Sequence, residues 1–289
     1  MHYHEAKGIL SAKNVMNIYR GCTHGCIYCD SRSSCYQMGH DFDDIEIKAN
    51  APALLEHTLK YARTKRMVHT GSMSDPYQPV EMETGLMRKA LSIIHAYGFG
   101  VTILTKSNCI LRDIDLLRQI NERTKCVVQM TLTTFDENLC RKIEPNVCTT
   151  KERFETLLRM REAGIPTVVW LCPILPFIND TSDNLSGILE YCVRAGVYGI
   201  VCPDIGMTLR EGSRDYFYQQ LDGSFPGLKA KYMQIYGDKY MLESLDASNL
   251  MSLFRQRCAR NGIAHDHRQI FTYLRTFEEK PQDRQLELF

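Results

Sequence analysis

Hydrophobic residues follow two patterns that alternate along most of the chain. Short runs that are apolar along most of their length predict strands at residues 14–20, 67–71, 101–106, 125–133, 166–174 and 198–203. The longer segments between these runs carry apolar side chains every three or four positions, which predicts helices with one buried face. Residues 149–164 show this second pattern with both ends marked, because Thr149 and Glu152 form a capping box and Gly164 is a stop signal.

The apolar character of the strands predicts the fold class. Strands of this kind are covered on both faces, so the alternation indicates an α/β fold with a parallel sheet. In barrels of this class, active sites lie on loops at the carboxyl ends of the strands. The alternation stops near residue 211, so we expect a core over residues 1–210, a helical extension over 211–265 and a polar tail over 266–289.

Composition and charge narrow the class of protein. The 35 Lys and Arg residues balance 34 Asp and Glu residues, and the net charge of +1 gives no general attraction to nucleic acid or membranes. No apolar run is long enough to span a bilayer, and residues 1–10 lack the apolar core of a signal peptide. We therefore expect a cytoplasmic protein in which the 12 cysteines are thiols or metal ligands rather than disulfides.

Three cysteines directly follow the first predicted strand. Cys22, Cys26 and Cys29 have the spacing C-x-x-x-C-x-x-C. A 4Fe–4S cluster normally takes four thiolates, so three of them leave one iron open to an amine and a carboxylate, such as those of S-adenosylmethionine (SAM). The alternative is a zinc site completed by His24 or His40, because zinc accepts mixed cysteine and histidine ligands.

The cysteine spacing, together with the aromatic Tyr28 before the last cysteine, resembles that of the radical SAM enzymes. Three further segments resemble the branch related to spore photoproduct lyase, often described as DNA-repair photolyase-like. They are GSMSDPYQPVE (71–81), RKIEPN (141–146) and PTVVWLCPILPFIND (166–180). The resemblance implies a partial (β/α)6 barrel that holds one 4Fe–4S cluster and cleaves SAM to an adenosyl radical. It also implies a reductant such as flavodoxin or ferredoxin.

The same resemblance implies positions for residues that contact SAM. Tyr28 would lie beside the adenine, Ser74 and Asp75 near the methionine amine, and Lys106 near the methionine carboxylate. A carboxylate and a cation are the groups that a zwitterion requires around it. Two strand-end hydroxyls are implied near the ribose or the carboxylate, those of Thr131 and Thr133.

The sequence departs from spore photoproduct lyase where that enzyme returns a hydrogen atom. The lyase uses a cysteine beyond the second strand and a tyrosine after the cluster motif, whereas this chain has Met73 and Asp30 there. Neither side chain can give up a hydrogen atom in that way, so another residue must replace them. The candidate donors are Cys35, Cys109 and Tyr77.

Residues after the last predicted strand are candidates for binding a substrate. Arg210 and Arg214 lie close to Tyr216 and Tyr218, and arginines beside aromatic rings suit pairing with phosphates and stacking on bases. The alternative is a helix start that covers the barrel.

The last residues of the chain resemble the Gln-Leu-x-Leu-Phe peptide with which bacterial repair proteins dock on the sliding clamp. The residues that match are Gln285, Leu286, Leu288 and Phe289. Burial of this segment on the barrel is the alternative. Together these features predict a radical SAM enzyme that acts on a DNA lesion or another nucleic acid. The alternatives are chemistry on a peptide, a tRNA or a small molecule, and a metal-binding protein without turnover.

Overall fold

The computed structural model describes residues 1–281. Its strands are β1 (His2–His4), β2 (Val15–Met16), β3 (Tyr19–Arg20), β4 (Glu46–Lys48), β5 (Met67–Thr70), β6 (Gly100–Thr105), β7 (Cys126–Thr131), β8 (Thr167–Trp170), β9 (Gly199–Val201), β10 (Gly206–Thr208) and β11 (Met241–Glu243). Its α-helices are α1 (Ala51–Lys60), α2 (Val80–Thr84), α3 (Leu86–Tyr97), α4 (Ile114–Arg123), α5 (Glu137–Ile143), α6 (Thr150–Glu162), α7 (Ser182–Ala195), α8 (Ser213–Ser224), α9 (Leu228–Tyr236), α10 (Ala247–Arg260) and α11 (His267–Arg275).

The main sheet has six strands in the order β2-β5-β6-β7-β8-β9, and all neighbouring pairs are parallel. Alternate residues of β7 show why both faces are apolar. Cys126, Val128 and Met130 belong to the large core formed with the flanking helices, whereas Val127 belongs to a separate cluster on the opposite face. This confirms the predicted α/β fold with six parallel strands.

The first predicted strand, residues 14–20, is divided between two sheets. Its beginning forms β2 of the main sheet, and its end forms β3 of a small sheet with the order β1-β4-β3. The intervening Ile18 is buried, as are Met16 and Tyr19. The mainly apolar run therefore predicted burial correctly. Burial alone, however, does not specify which sheet a residue joins.

The extension after the main sheet covers the segment that carries the three cysteines. A second apolar cluster joins this segment to β10, β11, α8 and α9 through Ile27, Tyr28, Phe217, Tyr232 and Leu242, among others. The rings of Phe217 and Tyr232 meet edge to face, with centroids 5.4 Å apart. The contacts make the extension part of the surroundings of the cysteines. The boundary predicted at residue 210 remains a prediction.

The polar tail predicted from residue 266 is wrong at its start, because α11 forms there. Asp266 caps the helix by accepting a hydrogen bond of 2.8 Å from the Gln269 N–H. Ile270 and Leu274, one helical turn apart, are buried against the cluster that contains Val127. The helix thus packs on the face of the sheet opposite the large core. This tertiary contact stabilises a helix in a segment whose composition is mostly polar.

The predicted clamp-binding peptide, with Gln285, Leu286, Leu288 and Phe289, lies outside the described residues. Within residues 1–281, none of the helices combines the length and the apolar character that crossing a membrane requires.

Candidate active site

The cysteine loop, residues 21–30, begins directly after β3 and is held on one side by the run that follows β5. The Gly21 carbonyl accepts hydrogen bonds from Ser74 Oγ at 2.6 Å and from Gln78 Nε2 at 3.2 Å. The Gln78 side-chain oxygen accepts a third, from the Thr23 N–H at 3.2 Å. Gln78 is fully buried and was missed by sequence reasoning, although it belongs to the quoted Asp-Pro-Tyr-Gln-Pro run.

The other side of the cysteine loop rests on the turn after α5. The Ile27 N–H donates to the Ile143 carbonyl at 3.0 Å, and the Asn146 side chain donates to the Thr23 carbonyl at 3.0 Å. Gly25 has a φ of 69°, and a Cβ there would lie 3.2 Å from both the Asn146 amide nitrogen and the Pro145 ring. A positive φ and this close approach both favour glycine, so few other residues could replace Gly25 in the loop.

A cavity of about 620 Å³ opens at the carboxyl ends of β5 and β6. Its walls include the three cysteines together with most of the residues predicted to contact SAM. The residues in the wall that bear on this prediction are Cys22, Cys26, Cys29, His24, Met73, Ser74, Asp75, Lys106 and Thr131. The fold therefore gathers side chains that are more than 100 positions apart in the chain.

Asp75 is fixed at the edge of this cavity by three donors. Its carboxylate accepts hydrogen bonds from Thr105 Oγ1 at 2.7 Å, from the Lys106 N–H at 2.8 Å and from the Tyr77 N–H at 2.9 Å. His24 Nδ1 lies 3.5 Å from the same carboxylate. These bonds tie the loop after β5 to the end of β6, so Asp75 holds a defined orientation toward the cavity.

Lys106 brings a cation to the same place. Burial works to lower the pKa of its ammonium, but the charges of Cys26 and Glu144 outweigh burial and raise the pKa above its ordinary value. The Lys106 nitrogen lies 5.8 Å from the centre of the Tyr28 ring. Lys106 therefore stays charged beside the residue predicted to meet the adenine.

The environment of the cysteines favours their neutral thiols unless a metal is bound. Burial, reinforced by Asp75, raises the pKa of the Cys22 thiol to about 12, and burial raises that of Cys26 well above its ordinary value. Buried thiolates therefore require a nearby cation, which the irons of a cluster would supply.

The separation of the possible ligand atoms excludes the simplest zinc geometry. Two ligands of one zinc ion lie at most about 4.6 Å apart, because Zn–S bonds are about 2.3 Å. Among the described residues, no three ligand atoms drawn from the cysteines and His24 lie within 4.8 Å of one another. His40, the other predicted fourth ligand, groups instead with His2 and Glu46.

Beneath the cysteine loop lies a buried ion pair that sequence reasoning did not find. The carboxylate of Glu144 pairs with the Arg153 guanidinium, and both side chains are fully buried. Glu144 also accepts a hydrogen bond from the Tyr28 hydroxyl, and Arg153 donates to the Thr131 carbonyl at 3.0 Å. The pair thus positions two residues of the predicted SAM site. Glu144 lies in the RKIEPN segment (141–146), and this segment was the signal in the sequence from which a role for Glu144 could have been predicted.

The two predicted threonines have different surroundings. Thr131 lines the cavity, whereas Thr133 is fully buried and does not appear in its wall. The Thr133 carbonyl accepts hydrogen bonds from the Asn179 and Asn184 side chains at 2.8 and 2.9 Å. Thr131 is therefore the better placed of the two for a ligand.

The candidate hydrogen-atom donors all lie outside the wall of this cavity. The Tyr77 hydroxyl is buried and donates to Asp113 at 3.1 Å. Cys109 is half-buried in the turn after β6, and Cys35 is exposed, with its sulfur 3.4 Å from an Arg210 nitrogen. The structure does not bring these three residues together.

The candidate substrate-binding residues after β9 are largely engaged in internal contacts. Arg214 donates to four backbone carbonyls, among them that of Lys239 at 2.6 Å. Arg210 contacts the Tyr240 hydroxyl at 3.0 Å and Asp30 at 3.3 Å. The Tyr216 ring lies 3.9 Å below the Arg32 guanidinium, and Tyr218 is buried.

A second cavity adjoins the first and shares Ser31, Phe42 and Met73 with it. It holds about 1110 Å³ of empty space between β4, the N-terminal residues and the end of the cysteine loop. Sequence reasoning did not anticipate it. Its walls contain several cationic and aromatic side chains, namely Lys7, Arg20, Lys48, Tyr19, Tyr36 and Phe42.

A parallel partial barrel with three cysteines at its mouth is typical of a class of iron–sulfur enzymes. Comparison with known proteins identifies the family. The model of the radical SAM superfamily matches residues 16–185. The chain belongs to the radical SAM superfamily. Membership implies one 4Fe–4S cluster and SAM as the cofactors, and it confirms the predicted class of enzyme.

Three relatives illustrate this similarity. An uncharacterized protein of Mycobacterium tuberculosis is 29% identical over 265 residues, which is 90% of this chain and 77% of that protein. A radical SAM Nα-GlyT isomerase of Pseudomonas phage M6 is 22% identical over 61% of this chain and 35% of its own length. Spore photoproduct lyase, solved with dinucleoside spore photoproduct, shares the fold with a TM-score of 0.65 at 16% identity, covering 89% of this chain and 78% of that chain.

Proposed function

We propose that the protein is a radical SAM enzyme that holds its cluster on Cys22, Cys26 and Cys29 and acts on a lesion or modification in DNA or another nucleic acid. One observation carries the proposal. The cavity that contains the three cysteines adjoins a second cavity whose walls include cationic and aromatic side chains, so a substrate there would lie next to bound SAM.

The cluster and SAM, when bound, supply an electron and a carbon-centred radical that removes a hydrogen atom from the substrate. The residues of this chain bind and orient them. The Asp75 carboxylate suits the methionine amine and the Lys106 ammonium suits the methionine carboxylate, since both side chains line the cavity. Tyr28, held by Glu144, is the proposed neighbour of the adenine.

The second cavity supports a nucleic-acid substrate. Lys7 and Lys48 can meet phosphates, and Tyr36 and Phe42 offer rings on which a base can stack. Burial lowers the pKa of the Lys48 ammonium, so pairing with a phosphate would relieve the cost of its burial. The walls also contain Glu5 and Glu46, so pairing with a phosphate depends on the local positions of Lys7 and Lys48 rather than on the net charge of +1.

Anaerobic reconstitution with iron and sulfide, followed by incubation with SAM, a reductant such as flavodoxin, and lesion-bearing oligonucleotides, tests this proposal. We expect 5′-deoxyadenosine and a repaired or altered base, both detected by mass spectrometry. Formation of 5′-deoxyadenosine without any change in the oligonucleotides would reject a DNA lesion as the substrate and favour a tRNA, a peptide or a small molecule. The relative that is named an isomerase makes isomerised products a second class to search for.

The C-terminal Gln-Leu-Glu-Leu-Phe sequence supports a further proposed partner, the bacterial sliding clamp. Micromolar binding, roughly −8 kcal/mol, is expected for the intact chain and should be lost when residues 285–289 are removed. A titration of the clamp with both forms of the protein checks this, and equal binding by the two forms would reject it.

A further inference from the structure

A group of metal-ligating side chains lies in the small sheet, apart from the cysteines. One ligand atom each from His2, His40 and Glu46 lies within 4.8 Å of the other two. His2 on β1 and Glu46 on β4 face each other in the parallel register of these strands. The separation between His40 Nε2 and the Glu46 carboxylate is 3.8 Å, which is too long for a hydrogen bond.

The hydrogen bonds of His40 leave one of its nitrogens without a protein partner. Its Nδ1 lies 2.9 Å from the Asp41 carbonyl, and a carbonyl can only accept, so Nδ1 carries the hydrogen. Nε2 is buried and has no hydrogen-bond partner among the described residues. The lone pair of His40 Nε2 therefore faces the Glu46 carboxylate. A cation bound between these two groups would interact favourably with both.

The surroundings of the two histidines match those of metal ligands. Ring nitrogens that bind a metal usually have the other nitrogen hydrogen-bonded to a carboxylate or a carbonyl, which fixes the ring. His2 Nδ1 lies 2.9 Å from the Asp44 carboxylate, and His40 has the Asp41 carbonyl. The two rings meet edge to face with centroids 4.9 Å apart.

Two other cations lie near Glu46, Lys48 on the same strand and Arg20 on β3, and Arg20 is engaged elsewhere. Arg20 is the partner of Glu46 in the antiparallel register, but the Arg20 guanidinium donates to the Tyr36 and Gln37 carbonyls at 2.9 and 3.0 Å. His40 and Glu46 have side chains that are each only 16% exposed. The carboxylate is therefore shielded from water and can still accept an ion.

We propose that His2, His40 and Glu46 bind a divalent transition-metal ion such as zinc. Two imidazoles and one carboxylate form a known zinc ligand set that leaves a fourth position open. The ion would join β1 to β4 and to the segment that carries His40. Because Glu46 also lines the second cavity, the ion would lie at the edge of that cavity. This site is independent of the proposed function and of the cluster.

Zinc itself is the probe for the test. The anaerobically reconstituted protein is dialysed against micromolar free zinc, and the zinc and iron contents are measured together by mass spectrometry. We expect about one zinc per chain and an X-ray absorption spectrum with nitrogen and oxygen neighbours only. A sulfur neighbour would place the zinc on cysteines and overturn the proposal, as would the absence of retained zinc.

Variants locate the site. His40→Gln and Glu46→Gln should each weaken zinc retention at least tenfold, while the iron content and the melting temperature of the zinc-free protein stay unchanged. His4→Gln is the matched control, because His4 lies on the same strand and is not in the proposed ligand group. Zinc retention by His40→Gln equal to that of the unchanged protein would overturn the assignment, and so would an equal loss in His4→Gln.

Discussion

The cysteine loop and the segment that follows the main sheet, residues 209–218, lie against each other but use their polar side chains differently. In the cysteine loop, backbone groups are held by other parts of the chain, which leaves the cysteines to line the cavity. In residues 209–218, side chains form structural hydrogen bonds with the backbone of other segments. Arg214, for example, donates to four backbone carbonyls. Residue type alone therefore does not identify a binding site, because only the fold decides whether a side chain reaches a cavity.

Removal of the three cysteines is the strongest test of this contrast. The Cys22→Ala/Cys26→Ala/Cys29→Ala variant should lose its iron and sulfide completely, since no thiolates remain at the loop. Iron and sulfide analysis after anaerobic reconstitution checks this. Cys35→Ala, which changes a thiol in contact with Arg210, is the control and should keep the full content. Full iron content in the triple variant would show that the loop is not the cluster site.

The buried pair below the loop should give the largest effect on stability. Arg153→Met leaves the Glu144 carboxylate buried and unpaired, so the free energy of unfolding should fall by about 3–5 kcal/mol. Arg159→Met is a matched control on the same helix, because its pair with Glu162 is exposed, and it should cost less than about 1 kcal/mol. Urea unfolding measures both values. Equal losses in the two variants would mean that the buried pair has no special role.

The same pair predicts a dependence of stability on pH. Burial by itself would raise the pKa of Glu144, but Arg153 and Lys106 outweigh it and hold the pKa below its ordinary value. A carboxyl with a lowered folded pKa stabilises fully above its unfolded pKa, about 4.3, and loses this contribution as the pH falls through the folded pKa. Unfolding measured from pH 6 downward should therefore show a steeper loss in the unchanged protein than in Glu144→Gln. Parallel curves would contradict this.

Cofactor binding should respond to the two charged residues in the wall of the cavity. Asp75→Ala and Lys106→Ala should each weaken SAM binding by about 1.5–3 kcal/mol, because each removes a charge-assisted hydrogen bond. Calorimetric titration of the reconstituted protein gives the dissociation constants, and an unchanged iron content serves as the control. Unchanged constants in both variants would remove these residues from the SAM site.

A cation in the wall of the second cavity and one in residues 209–218 should show the smallest effects. Lys48→Gln should weaken oligonucleotide binding and lower the slope of log affinity against log salt by about 1, because one phosphate contact is lost. Arg214→Gln should leave that slope unchanged and lower stability instead, by about 1–2 kcal/mol. Binding isotherms at several salt concentrations separate the two. A reduced slope in Arg214→Gln would restore it as a substrate ligand.

Local pattern was enough to predict the main sheet and to single out the cysteine loop. Apolar runs such as residues 101–106 and 125–133 correspond closely to β6 and β7, because strands buried on both faces need apolar side chains at every position. The cysteine spacing lies within one loop, so it can be recognised without knowing which other segments pack nearby. The resemblance then supplied Ser74, Asp75, Lys106 and Thr131, which line the cavity as expected.

Several features could not be predicted in this way, because they depend on partners from distant parts of the chain. The contact of Gln78 with Gly21 and the burial of α11 against Val127 are examples, and each joins elements that only folding brings together. The division of residues 14–20 between two sheets has the same origin, since both sheets bury apolar side chains equally well.

The sequence by itself therefore determined the α/β class and the parallel sheet of six strands, and it predicted the cysteine ligands, since these follow from short-range periodicity and spacing. Only the tertiary structure decided which polar groups are free to act. Arg153 and Arg214 are engaged inside the protein, whereas Lys106 and Lys48 line cavities, and all four are plain cationic residues in the sequence. The physical reason is that a buried charge must be paired, and the position of its partner is fixed by the packing of the whole chain.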